Sequence, residues 1–486
     1  MNLLLSLLTG ALLVLIFPRF EITWLAPVAL APLIIASAKE ANWKRRFLNG
    51  WASGFLFWFC ICIWIQFVLE FHGGMGRWGG WGAFLLFAIL KSLHTALFAA
   101  LAGVLVRMKW AVPAVAALWC GIEHAHGTWG LAWFGLGFAW LDLGNAAIDW
   151  PIVMRLAPIT GVHGLSFLFA MTGCAVALIA LRRPWKELVW LAALPLLLLL
   201  PAVANPAKGT ESVQVVQPNV DTEARWTQES FADFERRLSD LSLDESAPLI
   251  VWPEAPAPFY PGRQSFQAYL SGIAKTAHAT FLMGGVSNAP DGAPLNSAFL
   301  LNPAGQIVER YDKIQLVPFG EYIPPAFHWV NRITGEAGDF QPGSRVVVLP
   351  VGQHKMGAFI CYESAFPNLV RQFTLQGSEL LVNLSNDGYF GDSAAREQHL
   401  SLVRMRAAEN QRWILRATND GITAMIDPAG RVTERIPSYT QTSEVMHFNY
   451  TSGLTLYTRF GDWFPWTCLI AAIGLLIYCR KPGTTA

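Results

Sequence analysis

One cysteine in the sequence has the setting of a catalytic nucleophile. Cys361 is the only cysteine between residues 204 and 463, and it follows a short apolar run, 356–360, that predicts a strand. The remaining cysteines lie in or beside long apolar segments, where a thiol packs as a small hydrophobic group: Cys60, Cys62, Cys120, Cys174, Cys468 and Cys479. Because Cys361 has no disulfide partner in its own part of the chain, its thiolate is a candidate nucleophile. An inert buried thiol is the alternative.

Thiol chemistry needs a base that takes the proton and a donor that stabilises the oxyanion. Glu254 lies between Pro253 and Ala255, an apolar setting that suits a general base. Lys313 follows the predicted strand 307–311 and precedes a loop containing Pro and Gly, a position from which it can enter a cleft. The alternatives are a helix-capping carboxylate for Glu254 and a solvated surface lysine for Lys313.

Alternating strands and helices around these residues predict a layered α/β domain. Strands are predicted at 213–216, 249–252, 281–286, 298–301, 307–311, 346–351, 356–360, 380–384, 414–417 and 422–426, the last of which is expected to close the domain. Helices are predicted at 227–242, in a stretch that ends near 277, at 367–376 and at 394–412. Sites in such folds gather at the carboxyl ends of strands, where Glu254 and Cys361 both stand.

The whole chain has the composition of a membrane protein. Of its 486 residues, 53% are hydrophobic and only 14% are charged, whereas soluble domains carry about 25% charged residues. Most of the charged residues lie within 204–463, a stretch long enough for one globular domain. Lys and Arg (35) nearly balance Asp and Glu (34), so we expect no nucleic-acid partner.

Long apolar runs predict eight membrane spans, of which the first two are short enough to form a re-entrant hairpin instead. The runs lie near 3–17, 22–38, 51–69, 81–106, 110–128, 158–181, 188–204 and 464–479. Basic residues follow spans two, four, six and eight: Lys39, Lys44, Arg45, Arg46, Arg107, Lys109, Arg182, Arg183, Lys186, Arg480 and Lys481. The opposite short loops hold only Arg19, Arg77 and Arg155. This bias predicts cytoplasmic termini and places 204–463 in the periplasm of a bacterial cell.

The composition of two further segments indicates a structural role for each. Residues 127–157 interleave Trp and Phe with Gly, which predicts a segment in the interface at the outer face of the membrane, with an extra span as the alternative. Residues 321–345 are rich in Pro and Gly, a composition that permits the motion of a lid.

The three candidate groups occur in an order and spacing that resemble the nitrilase (carbon–nitrogen hydrolase) superfamily. The similar motifs are WPE ending at Glu254, YDK ending at Lys313 and ICYE around Cys361, followed by 404–410 and 417–421. This resemblance implies an α-β-β-α sandwich in which Glu254, Lys313 and Cys361 form the catalytic triad.

With seven predicted spans before this domain and one after it, the whole chain resembles the bacterial apolipoprotein N-acyltransferase family. Segments 318–322 and 383–391 are also similar to that family, although Gly388 and Tyr389 stand where its pattern has a small residue and Trp. The resemblance implies substrate-binding or supporting roles for Trp226, Glu321, Tyr362 and Glu363. It further implies a thioester on Cys361 that carries an acyl chain from the sn-1 position of a phospholipid, expected to be phosphatidylethanolamine. The acceptor would be the N-terminal amine of the diacylglyceryl-cysteine of an apolipoprotein, in the last step of lipoprotein maturation.

The predicted organisation is a membrane domain (1–203), a catalytic domain (204–463) and an eighth span with a short tail (464–486). A monomer without cofactor or metal is expected, since Cys60 and Cys62 have no partners at zinc spacing. One alternative is a membrane-tethered nitrilase-type amidase that hydrolyses a soluble amide. Another is a transporter or lipid-binding scaffold, which the polar residues Lys91, His94 and Glu123 within predicted spans would favour.

Overall fold

In a computed structural model the chain divides into a helical unit and a unit built on two β-sheets. The structure describes residues 1–479 except 128–137, 204–208, 223, 225, 255–258 and 325–339, so parts of the predicted interfacial segment and of the 321–345 loop lie outside the described residues. As far as their residues are described, unit 1 covers Met1–Ala202, Pro324–Thr334 and Phe460–Ala486, and unit 2 covers Val203–Ile323 and Gly335–Arg459.

Unit 1 is helical. Its α-helices are α1 (Asn2–Leu15), α2 (Ala31–Lys39), α3 (Trp43–Ile61), α4 (Trp64–Phe67), α5 (Gly76–Lys91), α6 (Leu93–Leu105), α7 (Ala111–Ala125), α8 (Pro151–Met154), α9 (Ala157–Thr160), α10 (Val162–Ala180) and, after unit 2, α16 (Trp463–Cys479). Among the described residues, Gly76–Leu105 and Val162–Ala180 are long and apolar enough to cross a membrane. The pair Trp43–Ile61 and Trp64–His72 also qualifies if it is taken as one span, bent by 58°.

The predicted seventh span, 188–204, differs from a regular spanning helix over its described residues. Trp185–Ala193 and Pro195–Leu199 form two short 3₁₀ helices. Pro195 has no backbone N–H and its ring collides with the preceding turn, so an α-helix is not continued through this point. The described part of this apolar run therefore forms 3₁₀ turns and not the continuous α-helix of a regular span.

Two polar side chains within unit 1, Lys91 and Glu123, bond to neighbouring helices and loops. Lys91 Nζ donates to the carbonyl of Phe138 at 2.7 Å and lies 4.8 Å from the ring centre of Trp58. Glu123 accepts from the indole N–H of Trp119 (3.1 Å) and from the backbone N–H of Leu143 (2.8 Å). These contacts give Lys91 and Glu123 a role in helix packing that requires no transport path.

Unit 2 contains two six-stranded sheets. Its strands are β1 (Glu211–Gln217), β2 (Leu249–Val251), β3 (Thr280–Asn288), β4 (Pro294–Leu301), β5 (Ile307–Asp312), β6 (Val348–Val351), β7 (His354–Ile360), β8 (Leu380–Ser385), β9 (Ile414–Thr418), β10 (Thr423–Ile426), β11 (Val432–Ile436) and β12 (Thr442–Phe448). The strand orders are β12-β1-β2-β3-β4-β5 and β11-β10-β9-β8-β7-β6. Strands β1–β3 are parallel to one another, as are β7–β9, while the flanking strands run antiparallel.

The two sheets pack face to face between layers of helices. The helices of unit 2 are α11 (Gln228–Leu243), α12 (Gln264–Ala277), α13 (Pro367–Leu375), α14 (Ala395–Asn410) and α15 (Leu456–Phe460). Alternate residues of β1 show the arrangement, because Val213 and Val215 join a core shared with the second sheet while Val216 packs with α11 and α12. The predicted α-β-β-α sandwich is confirmed.

The prediction that 422–426 closes the domain is wrong. Strands β11 and β12 follow it, and β12 pairs along its whole length with β1. Both added strands lie at sheet edges, where one side is exposed and residues such as Glu434 and Glu444 interrupt the apolar pattern. An edge strand of this kind lacks the apolar run on which the sequence prediction depended.

Candidate active site

Glu254 stands just beyond the end of β2 and is held by contacts from three separate segments. Its Oε1 accepts from the Asn296 side chain at 2.8 Å and from Lys313 Nζ at 3.3 Å. Its Oε2 accepts from the backbone N–H of Asn386 at 3.0 Å. These bonds orient the carboxylate, the group that can act here as a general base.

Lys313 directly follows β5 and is almost completely buried, with 1% of its surface exposed. Its Nζ lies between two carboxylates, 3.3 Å from Glu254 and 2.9 Å from Glu321. Burial by itself lowers the pKa of a lysine, but the charges of Glu254 and Glu321 outweigh it and raise the pKa of Lys313 well above its usual value. The ammonium group is therefore a permanent buried cation, suited to stabilise negative charge on a substrate.

Cys361 lies where β7 meets a short 3₁₀ helix, Cys361–Ala365. Its φ of +51° is in the left-handed region, which costs a non-glycine residue about 1–3 kcal/mol unless the surroundings hold it there. Burial raises the pKa of the Cys361 thiol, the charge of Glu254 raises it further, and Lys313 opposes both. The thiol is thus protonated at rest, and its use as a nucleophile requires a base.

Replacing Glu254 with glutamine is expected to accelerate alkylation of Cys361 by iodoacetamide about three- to tenfold at pH 8. Iodoacetamide reacts with thiolate that has formed by proton exchange with solvent, so its rate reports the thiolate fraction rather than the proton transfer to Glu254 during acyl transfer. In the variant the negative charge that raises the thiol pKa would be gone while Lys313 remains, so the thiolate fraction would increase. The rate is measured on the peptide that contains Cys361, with Glu397→Gln as a control, because Glu397 pairs with Arg435 at the surface. Slower alkylation in Glu254→Gln would contradict the electrostatic coupling.

Glu321 and Glu363 occupy different places around these three residues. Glu321 Oε1 bonds Lys313 and also accepts from Asn296 at 2.7 Å, so it orients the lysine directly. Glu363 is fully buried and faces the backbone: its Oε2 accepts from the N–H of Ile360 at 2.7 Å. Its Oε1 accepts from Tyr311 Oη (2.7 Å) and from the backbone N–H groups that follow Lys313, those of Ile314 (2.7 Å) and Gln315 (3.2 Å). Glu363 therefore accepts hydrogen bonds both from the backbone next to Cys361 and from the backbone next to Lys313.

Tyr362 and Trp226 both pack against aromatic side chains. Tyr362 follows Cys361 and is buried, with its ring 5.0 Å from the ring of Phe366. Trp226 is half-buried against Phe231 and Phe234 and lines a separate cavity of about 250 Å³. Hydrogen bonds join Glu254, Lys313 and Glu321 into one cluster, and the charges of Glu254 and Lys313 act on the Cys361 thiol. The described contacts do not join Trp226 to this cluster.

The sequence interpretation missed several polar residues that hold the cluster. Asn296, on β4, donates to both Glu254 and Glu321. Beneath Cys361, His399, Asp387 and Arg416 form a fully buried polar group. A usable signal was present for Arg416, which is a charged residue inside the apolar run predicted as the strand 414–417.

The chain matches two family models. One, carbon–nitrogen hydrolase, covers residues 212–446, and the other, apolipoprotein N-acyltransferase N-terminal domain, covers 9–175. Curated relatives carry the name apolipoprotein N-acyltransferase. The relative from Geobacter metallireducens is 33% identical over 508 residues, covering 98% of this chain and 95% of its own. The relative from Azotobacter vinelandii is 31% identical, covering 95% of this chain and 92% of its own.

Solved structures similar to the chain include an amidase from Nesterenkonia sp. This amidase is 18% identical, has a TM-score of 0.39, and covers 52% of this chain and 94% of its own.

Proposed function

This chain belongs to the apolipoprotein N-acyltransferase family, and we propose that Glu254, Lys313 and Cys361 carry the acyl transfer that defines it. The enzyme belongs to the bacterial inner membrane and passes an acyl chain from a phospholipid donor to a lipoprotein acceptor. The observation that carries the residue assignment is the buried Lys313 ammonium group, held between two carboxylates and electrostatically coupled to the Cys361 thiol.

In the first half-reaction, Glu254 takes the proton of the Cys361 thiol as the sulfur attacks the ester carbonyl at the sn-1 position of the phospholipid. Lys313 and the backbone N–H of Tyr362 stabilise the tetrahedral oxyanion. When the intermediate collapses, the ester C–O bond breaks and the leaving alkoxide takes the proton from Glu254. The products are a lysophospholipid and a thioester on Cys361.

In the second half-reaction, the α-amine of the diacylglyceryl-cysteine of the apolipoprotein attacks the thioester. Such an amine titrates near pH ~8, so a nucleophilic neutral fraction exists at neutral pH. Glu254 takes a proton from the attacking nitrogen and returns it to the sulfur as the C–S bond breaks. An amide is formed on the lipoprotein and the Cys361 thiol is restored.

The supporting residues have distinct proposed roles. Glu321 orients Lys313, and Glu363 fixes the backbone on both sides of the site. Tyr362 supplies its N–H to the oxyanion and packs beside the nucleophile. Trp226 contributes to substrate binding from the neighbouring cavity.

The loop charges support a proposed topology of eight spans, cytoplasmic termini and a periplasmic catalytic domain. We take the domain limits as 1–203, 204–463 and 464–486, the donor as phosphatidylethanolamine and the enzyme as a monomer.

A protease added to the periplasmic side should cut within 204–463 and spare the 39–46 loop. The reverse pattern would overturn the orientation, and sedimentation in detergent would test the monomer.

Intact mass of the purified protein tests the thioester directly. Incubation with phosphatidylethanolamine that carries different chains at sn-1 and sn-2 is expected to add the mass of the sn-1 chain to the wild type. Cys361→Ala should gain no acyl mass, and its rate of acyl transfer should fall by at least about 10³-fold. A diacylated lipopeptide with a free amine should then remove the adduct and gain the same acyl mass.

Two outcomes would contradict this function. Hydrolysis of a soluble amide without any acyl adduct would favour the tethered amidase. An adduct that forms on Cys361→Ala would show that another residue is the nucleophile.

A further inference from the structure

The carbonyl oxygen of Cys361 is bonded by a buried histidine that the proposed mechanism does not use. His399, on α14, places its Nε2 3.0 Å from this oxygen. A carbonyl oxygen only accepts hydrogen bonds, so Nε2 carries the proton. His399 is fully buried, and water therefore does not compete for either partner.

A buried ion pair holds the imidazole ring in place. Arg416 Nη2 lies 2.6 Å from Asp387 Oδ2, and both residues are fully buried. Nδ1 of His399 lies 3.2 Å from Arg416 Nη2 and 3.3 Å from Asp387 Oδ1. Burial lowers the pKa of His399, which leaves the ring neutral, with Nδ1 accepting from Arg416 while Nε2 donates to Cys361.

The rigidity of the peptide unit gives this contact a mechanical consequence. The carbonyl of Cys361 and the N–H of Tyr362 belong to one planar trans peptide, in which they point in opposite directions. A bond that fixes the carbonyl therefore also fixes the direction of the N–H, on the side away from His399. The same bond helps to hold Cys361 at its strained φ of +51°.

We infer that His399 is a positioning residue for acyl transfer, which anchors the Cys361 carbonyl so that the thiol and the Tyr362 N–H meet the ester in the attacking geometry. Asp387 and Arg416 act through His399 by setting its tautomer and orientation. The inference rests on the proposed function, because it takes Cys361 as the nucleophile.

The test compares three substitutions of His399 in the full-length protein. His399→Gln retains an amide N–H that can reach the carbonyl, His399→Asn is polar but too short, and His399→Leu has no donor. The readout is the single-turnover rate of acyl-enzyme formation from phosphatidylethanolamine, per folded molecule, at several lipid concentrations. His354→Leu is the control, since His354 is partly exposed at the other end of β7.

We expect the maximal acylation rate of the Leu and Asn variants to fall by about 30- to 100-fold, because a reacting group misplaced by about 1 Å costs a rate of this order. The half-saturating lipid concentration should not change. The Gln variant should return to within about fivefold of the wild type. If His399→Leu fails to fold, the comparison of Gln with Asn still decides the question. Equal rates for Gln and Asn, or a wild-type rate for Leu, would overturn the inference. A wild type without any adduct would instead overturn the proposed function.

Discussion

Replacing Lys313 with methionine is expected to lower the rate of acyl-enzyme formation by about 10³-fold. Methionine keeps a side chain of similar length but removes the cation proposed to stabilise the oxyanion, and loss of one such donor costs about 10²–10³-fold. It also leaves Glu254 and Glu321 facing each other in a buried site without a counterion. Breaking a buried charge pair in this way destabilises a protein by about 3–5 kcal/mol.

The measurement for Lys313→Met is single-turnover acylation together with the thermal unfolding midpoint in detergent. Lys355→Met serves as the matched control, because Lys355 belongs to the same unit and is exposed. An acylation rate within tenfold of the wild type would show that Lys313 is not the principal oxyanion donor. A large loss of rate with an unchanged midpoint would separate catalysis from stability.

Replacing Glu363 with glutamine is expected to reduce acylation by about 10²-fold and stability by about 2–4 kcal/mol, although Gln has nearly the same shape. Both carboxylate oxygens accept hydrogen bonds, Oε1 from the side of Lys313 and Oε2 from Ile360. A glutamine has one acceptor and one donor, so its amide group would face a backbone N–H on one side. The chain next to Cys361 or next to Lys313 would then shift.

The two readouts for Glu363→Gln are the acylation rate and the unfolding midpoint. Glu379→Gln is a suitable control, since Glu379 contacts the partly exposed His354 rather than the site. If Glu363→Gln acylates at the wild-type rate, the proposed role in holding the nucleophile's backbone is wrong. A second-step defect alone, with normal acylation, would assign Glu363 to the lipoprotein half-reaction instead.

Central strands were predictable and edge strands were not, for one physical reason. A strand such as β8, Leu380–Ser385, is buried throughout and so appears as a continuous apolar run. Strands β11 and β12 are exposed on one side and depend on pairing with neighbours, β12 with β1 over 200 residues earlier in the chain. The local sequence pattern of a strand does not predict that pairing.

Prediction from local sequence pattern has the same limit for the membrane helices. Apolar length predicted the segments around 81–106 and 158–181, which the structure shows as long apolar helices. It did not predict the 3₁₀ geometry near Pro195, because hydropathy measures burial and local backbone chemistry decides helix continuity.

The sequence by itself identified Glu254, Lys313 and Cys361 as candidate reacting groups, because each stands shortly after a predicted strand. Only the tertiary structure decided how those side chains are held. Asn296, Asn386 and His399 reach them from three elements distant in sequence. Buried polar groups must find partners wherever packing provides them, and packing is a property of the folded chain rather than of any local motif.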